Sequence, residues 1–206
     1  MGSEAPIQPR EARKATTRAS EAGNSSWTPP GATPPLYPPG VDFETVHHFD
    51  RAPDEVAEAM LDEAYQRSLS DVGALKDREL LEQRQRGDVT VRRVRCVLGG
   101  ISGPAKSFLG GRDPAWEEEA TWRPAEMRWT WLIHPEFAEE LLDARGAIEV
   151  KADGKGTLRR VTGRVLVKVP FYGSRIEGFI VGGIKDAYDE EAERLATWLG
   201  GASFET

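Results

Sequence analysis

Cysteine is nearly absent from this chain. Cys96 is the only one among 206 residues, which excludes an intrachain disulfide and a zinc site built on thiolates. Long apolar runs are missing too: no stretch approaches the roughly eighteen residues that a membrane-spanning helix needs, and the first residues lack the apolar core of a secretory signal. Positive charge is in deficit. A net charge of −7 and a pI near 5.2 argue against a general nucleic-acid binder, which needs a basic surface to displace counterions from phosphates, and against docking on anionic membranes. The expectation is a cytoplasmic protein with no cofactor and no metal.

Large apolar residues are scarce over residues 1–40, which hold eight of the fourteen prolines in a background of Ala, Ser, Thr and Glu. Such a segment cannot bury enough apolar surface to offset its ordering entropy, so a disordered tail is expected there. Its run from Pro29 to Gly40 favours extended polyproline conformations suited to a spacer. The remaining length suffices for one domain of about 150 residues, with a short tail over 202–206.

From Val41 the pattern changes. Phe43, His47 and Phe49 alternate on one side of a strand; Pro53 with Asp54 and Glu55 then marks a helix start, and two short helices end at Gly73. Six strands follow, at about 75–85, 89–98, 116–122, 127–134, 148–151 and 158–169, with a short helix expected over Pro135–Ala144. Met127, Trp129, Trp131 and Ile133 share one face, as do Val161, Val165, Val167 and Val169.

The chain closes on one long amphipathic helix. Pro170 ends the last strand, Ser174 and Glu177 have capping-box spacing, and Ile176, Phe179, Ile180, Ile184, Tyr188, Leu195 and Leu199 recur at helical intervals. Gly178, Gly182 and Gly183 interrupt it, each at a cost of roughly 0.8–1 kcal/mol relative to alanine. Close approach to a sheet or room for a ligand beneath the helix would account for them.

This α+β order, together with HHFDRAPDEVAEAMLDEAY at His47–Tyr65, GKGT at Gly154–Thr157 and VKVPFYGSRIE at Val167–Glu177, resembles the START-like (SRPBCC, helix-grip) superfamily and, within it, a bacterial family of unknown function. The resemblance spans about residues 41–201. It implies a curved antiparallel sheet wrapped around the terminal helix, with an internal cavity for an apolar or amphipathic, lipid-like molecule. The expected wall is His47 on the first strand, Trp129 and Trp131, Val165 and Val167, and Ile176, Phe179, Ile180 and Ile184 on the helix.

No catalytic set is apparent. His47 lacks a visible carboxylate partner and reads as a satisfied structural histidine, while His48 must point to the opposite face. Gly99–Ser107 nearly matches a phosphate-binding loop, but Ala105 replaces its second glycine and Pro104 removes an N–H. Arg84, Arg86, Arg92, Arg93 and Arg95 face Glu117, Glu118 and Glu119 on the next strand and read as a neutralised, solvated surface. Non-catalytic binding leads; a cyclase- or hydrolase-type enzyme with His47 as base and Tyr172 beside it, or an interaction module with a filled core, are the alternatives.

Overall fold

The computed structural model describes residues 39–100, 110–137, 139–171, 173–200 and 204–205. The Pro-rich segment before Pro39, most of the glycine-rich loop at 99–107, and Tyr172 lie outside these. Strand β1 (Val41–Phe49) leads to helices α1 (Pro53–Leu61) and α2 (Glu63–Ser68), then to strands β2 (Leu75–Arg86), β3 (Val89–Leu98), β4 (Ala115–Arg123), β5 (Arg128–Pro135), β6 (Leu142–Asp153) and β7 (Gly156–Val167). Helix α3 (Gly173–Trp198) follows, and Phe204–Glu205 adds a two-residue strand, β8. The sheet is antiparallel throughout, in the order β2-β3-β4-β5-β6-β7-β1-β8. Register shifts in β2 between Leu75 and Asp77 and between Leu80 and Glu82 mark bulges, which add bend and twist to a strand.

Period-two alternation sets the inner face. Phe43, Phe49, Val94, Trp122, Trp129, Trp131, Ile148, Val161, Val165 and Val167 are all buried there. Across four strands one row reads Trp131, Gly146, Gly163, Phe43. The two rings lie over the two glycines and approach each other with centroids 6.3 Å apart. A Cβ on Gly146 would come within 2.1 Å of the Thr162 carbonyl oxygen, and one on Gly163 within 2.5 Å of the Phe43 ring, so the row requires both glycines.

Helix α3 lies along β7 and β1. Among the described residues no Ser174–Glu177 capping box holds its first turn. The Glu177 carboxylate is buried and accepts from the Val167 N–H at 2.8 Å, while the Gly173 N–H donates to the Val169 carbonyl at 2.9 Å. Glu177, one turn into the helix, thus ties it to the end of β7.

The helix expected over Pro135–Ala144 is absent. A single 3-10 turn, Glu139–Leu141, precedes β6, whose Leu142 and Ala144 pair with Val167 and Val165. Sheet pairing outcompetes the local one-turn spacing of Phe137 and Leu141. Gly178, Gly182 and Gly183 are exposed, and a Cβ at any of them would meet nothing within 4 Å, which overturns close helix-to-sheet approach. Alanine at each should therefore raise stability by roughly 0.8–1 kcal/mol, measured as the urea unfolding midpoint; a loss at any of the three would contradict their placement.

Candidate functional site

His47 is fully buried on the inner face of β1, and α3 brings it a carboxylate that the sequence pattern did not reveal. Its Nε2 lies 2.9 Å from Asp189 Oδ1 and its Nδ1 lies 3.3 Å from Arg159 Nη2. A guanidinium can only donate, so Nδ1 must accept, and the ring proton belongs on Nε2, donating to Asp189. Burial first, and the Arg159 charge second, push the imidazole below its ordinary value of 6.5. Both nitrogens are engaged and the ring has no open face. His47 is accordingly a structural element of the helix-to-sheet contact, and the alternative that makes it a base loses its candidate.

Because the native state holds this histidine neutral, the unfolded state binds more protons as pH falls. The stability it contributes is present above pH 6.5 and is lost as pH drops from there toward the lower folded value. The urea midpoint should decline more steeply below that pH in the native protein than in His47→Gln; parallel profiles would contradict the assignment.

Arg159, on the same inner face, is wholly buried. Its Nη1 donates to Glu191 at 3.1 Å and its Nη2 to the Tyr188 carbonyl at 3.0 Å. Arg92 is buried as well, donating to the Met60 carbonyl at 2.9 Å with its guanidinium 4.3 Å from the Trp129 ring centre. Its predicted place on a solvated surface is therefore corrected, whereas Arg93 pairs outward with Glu117, Arg95 with Glu136 and Arg84 with Glu82.

Glu118 is the second correction. It stands between Val94 and Ile133 on the inner face, whereas Glu117 and Glu119 point outward. It makes no hydrogen bond or ion pair with the described residues, and desolvation by the surrounding protein raises it above the ordinary carboxylate value despite Arg92 and Arg78 nearby. Tyr188 on α3 is similar: its hydroxyl has no hydrogen-bonding partner among the described residues, and burial, followed by the Glu118 charge, pushes it well up. Both nevertheless keep partly accessible surface.

The inward stripe of α3 agrees with this. Ile176, Ile180 and Ile184 pack toward the core yet stay partly accessible, whereas Ala192, Leu195 and Ala196 nearer the C-terminus are buried. Helix α3 packs on β7 and β1; on the inner face of β4 and β5, Glu118 and Ile133 keep partly accessible surface while Trp131 is buried. Of the predicted wall, Ile176, Ile180 and Ile184 keep partly accessible surface, whereas Trp131 is buried against Phe43.

His47, Trp129 and Val165 have no accessible surface and belong to the core, with Val167 nearly so. The helix sits directly over β7 and β1, and Trp129 is enclosed by Trp122 and Arg92. Phe179 is 67% exposed and turned away from the sheet, because one residue's rotation carries it past the edge of the stripe. Glu118, Tyr188 and Arg92 are the residues that sequence reasoning missed. The signal was present in AWEEEATW, where period two sets Glu118 in phase with Trp116, Ala120 and Trp122.

Elsewhere, an open concavity of about 950 Å³ occupies the outer sheet face. Its arginines face acids, as in Arg164 with Asp42 at 3.9 Å and Arg128 with Glu149 at 3.5 Å, which leaves a solvated, neutralised surface. Among the described residues no group of three or more His, Cys, Asp or Glu is placed to hold a metal ion, and no helix is long and apolar enough to cross a membrane.

A curved antiparallel sheet gripping one long C-terminal helix, with two short helices after the first strand, defines a START-like, helix-grip domain. Solved structures share the arrangement. A Thermus thermophilus protein superposes with a TM-score of 0.56 at 15% identity, over 77% of this chain and 99% of that one. The Zhui aromatase/cyclase of a Streptomyces species gives 0.55 at 11%, over 78% and 93%. A START superfamily protein of Mycobacterium smegmatis gives 0.51 at 14%, over 76% and 98%. The chain belongs to the family described as protein of unknown function (DUF2505), whose model matches residues 44–199. No curated protein sequence matches it significantly.

Proposed function

We propose that this protein binds one small apolar or amphipathic molecule in the hollow between α3 and the inner sheet face, without transforming it. The observation that carries the reading is the unburied inward stripe. Ile176, Ile180 and Ile184 pack on the core side of α3 yet keep partly accessible surface. Helix-on-sheet packing that served stability alone would close that gap, as it does around Leu195. An apolar-lined hollow with a few polar groups is the usual form of a small-molecule site. Fold neighbours named as an aromatase/cyclase and a START superfamily protein support the same architecture. A cytoplasmic setting is part of this reading, supported by the single cysteine of the sequence, which is buried.

A second reading, proton transfer on the bound molecule, is favoured by one observation: Glu118 and Tyr188 both reach the hollow without hydrogen-bonding partners. It replaces His47 as the base of any such chemistry.

Titration with Nile red, a neutral apolar dye, tests the binding reading. Saturable uptake of one dye per chain is expected, abolished by Ile184→Trp, which fills the space. Uptake unaffected by that substitution, or none at all, would contradict it.

A further inference from the structure

We infer that residues 178–187 of α3 form a strap that unwinds locally between two fixed ends, in a motion separate from unfolding of the domain, and uncovers the inner sheet face. That opening stands on the helix alone, while its use as the ligand's entrance rests on the binding reading.

The way the helix is held changes along its length. At its start, the Gly173 N–H donates to the Val169 carbonyl, and the buried Glu177 carboxylate accepts from the Val167 N–H. Beyond the strap, Arg159 donates to the Tyr188 carbonyl at 3.0 Å and to Glu191 at 3.1 Å, His47 to Asp189 at 2.9 Å, and the Gly73 N–H to Glu190 at 2.7 Å. Between these ends, no side chain over 178–187 makes a hydrogen bond or ion pair with the described residues. None of these residues is buried, whereas Glu177 before them and Ala192, Leu195 and Ala196 after them are.

Segments with little burial and few bonds open at free energies well below that of global unfolding. Gly178, Gly182 and Gly183 weaken this one further, because each favours the unwound chain over the helix, and a Cβ on any of them would meet nothing within 4 Å. Gly178 stands directly after the Glu177 tie, and the pair stands ahead of the Tyr188 clamp. Both ends can stay fixed while the middle moves. The strap is about 15 Å long as a helix and reaches roughly 33 Å drawn out, so unwinding supplies the slack to bow away from the sheet. Ile180 and Ile184 move with it, and both pack against the core when it is closed.

Hydrogen exchange of the full chain, read by NMR in urea below the unfolding transition, tests the opening. Amides over 181–185 are expected to exchange about a hundredfold or more faster than those over 192–196, with little dependence on urea, because a local opening exposes little surface. The Val167 amide reports the Glu177 tie and should stay protected. Alanine should slow exchange over 181–185 by about fivefold at each glycine and about a hundredfold at all three together. Equal protection along the whole helix, or exchange unchanged by the three alanines, would overturn the strap. A Val167 amide as labile as those over 181–185 would overturn it too, since the helix would then fray from its start.

Stopped-flow uptake of Nile red tests the entrance. The triple alanine variant should take up and release the dye roughly tenfold more slowly, with its affinity within about threefold of the parent's, because a gate sets rates and not the bound state. Unchanged uptake in a variant whose exchange is slowed would overturn the entrance. No dye binding at all would overturn the binding reading and the entrance with it, and the exchange result alone then decides the strap.

Discussion

Arg159→Ala should destabilise the domain by about 3–5 kcal/mol, because it removes one partner of a buried ion pair and leaves the other charge uncompensated. Arg159 has no accessible side-chain surface and Glu191 only 16%. The same guanidinium also holds the Tyr188 carbonyl and His47, so a single substitution unpairs groups on both β1 and α3. The urea midpoint reads the loss, with an unchanged denaturant slope showing that the transition remains one cooperative unfolding. A loss below about 1 kcal/mol, the usual worth of an exposed pair, would contradict the buried network. Arg159→Met combined with Glu191→Gln should recover much of the stability, since replacing both charges removes the unpaired one. Arg159→Ala should also lessen the decline in stability below pH 6.5, as Arg159 helps keep His47 neutral.

Gly146→Ala is the second large effect, at the upper end of the roughly 1–3 kcal/mol that overpacking costs. The added methyl would sit 2.1 Å from the Thr162 carbonyl oxygen and 2.3 Å from Trp131 Cζ2. A ring can turn aside, but a backbone carbonyl in a paired strand cannot without breaking the β6–β7 register. Gly163→Ala should cost less, because its nearest obstacles are ring atoms of Phe43 and Trp131. Thermal unfolding of the two variants gives the order; a Gly146→Ala protein as stable as the parent would contradict the row of rings laid over glycines. The contrast with Gly178, Gly182 and Gly183, where alanine is expected to stabilise, shows that a glycine's neighbours decide the sign.

Much of the architecture was legible because periodicity survives in sequence. Strands β2 to β5 and the long helix follow directly from alternation and from the spacing of Ile176, Ile180, Ile184 and Leu195. The segment before β6 was misread because Phe137 and Leu141 mimic one helical turn, and only pairing with a strand some twenty residues away reveals that Leu142 and Ala144 extend the sheet.

The charged residues of the inner face were hidden for a different reason. Glu118, Arg92 and Arg159 are charged, and charge on a strand ordinarily marks the solvent face. Their phase says otherwise: Arg159 alternates with Thr157, Val161 and Val165, and Glu118 with Trp116, Ala120 and Trp122. A charged residue standing in the apolar phase of a strand is a candidate for a buried network or a site. What compensates it is long-range and cannot be read locally, as Glu191 reaching Arg159 from α3 illustrates.

Native mass spectrometry of the protein purified from its own host, followed by organic extraction, tests the central claim most directly. The account predicts one small apolar or amphipathic molecule retained per chain and lost from the Ile184→Trp variant. A bare polypeptide mass that stays bare when Nile red is supplied would contradict it.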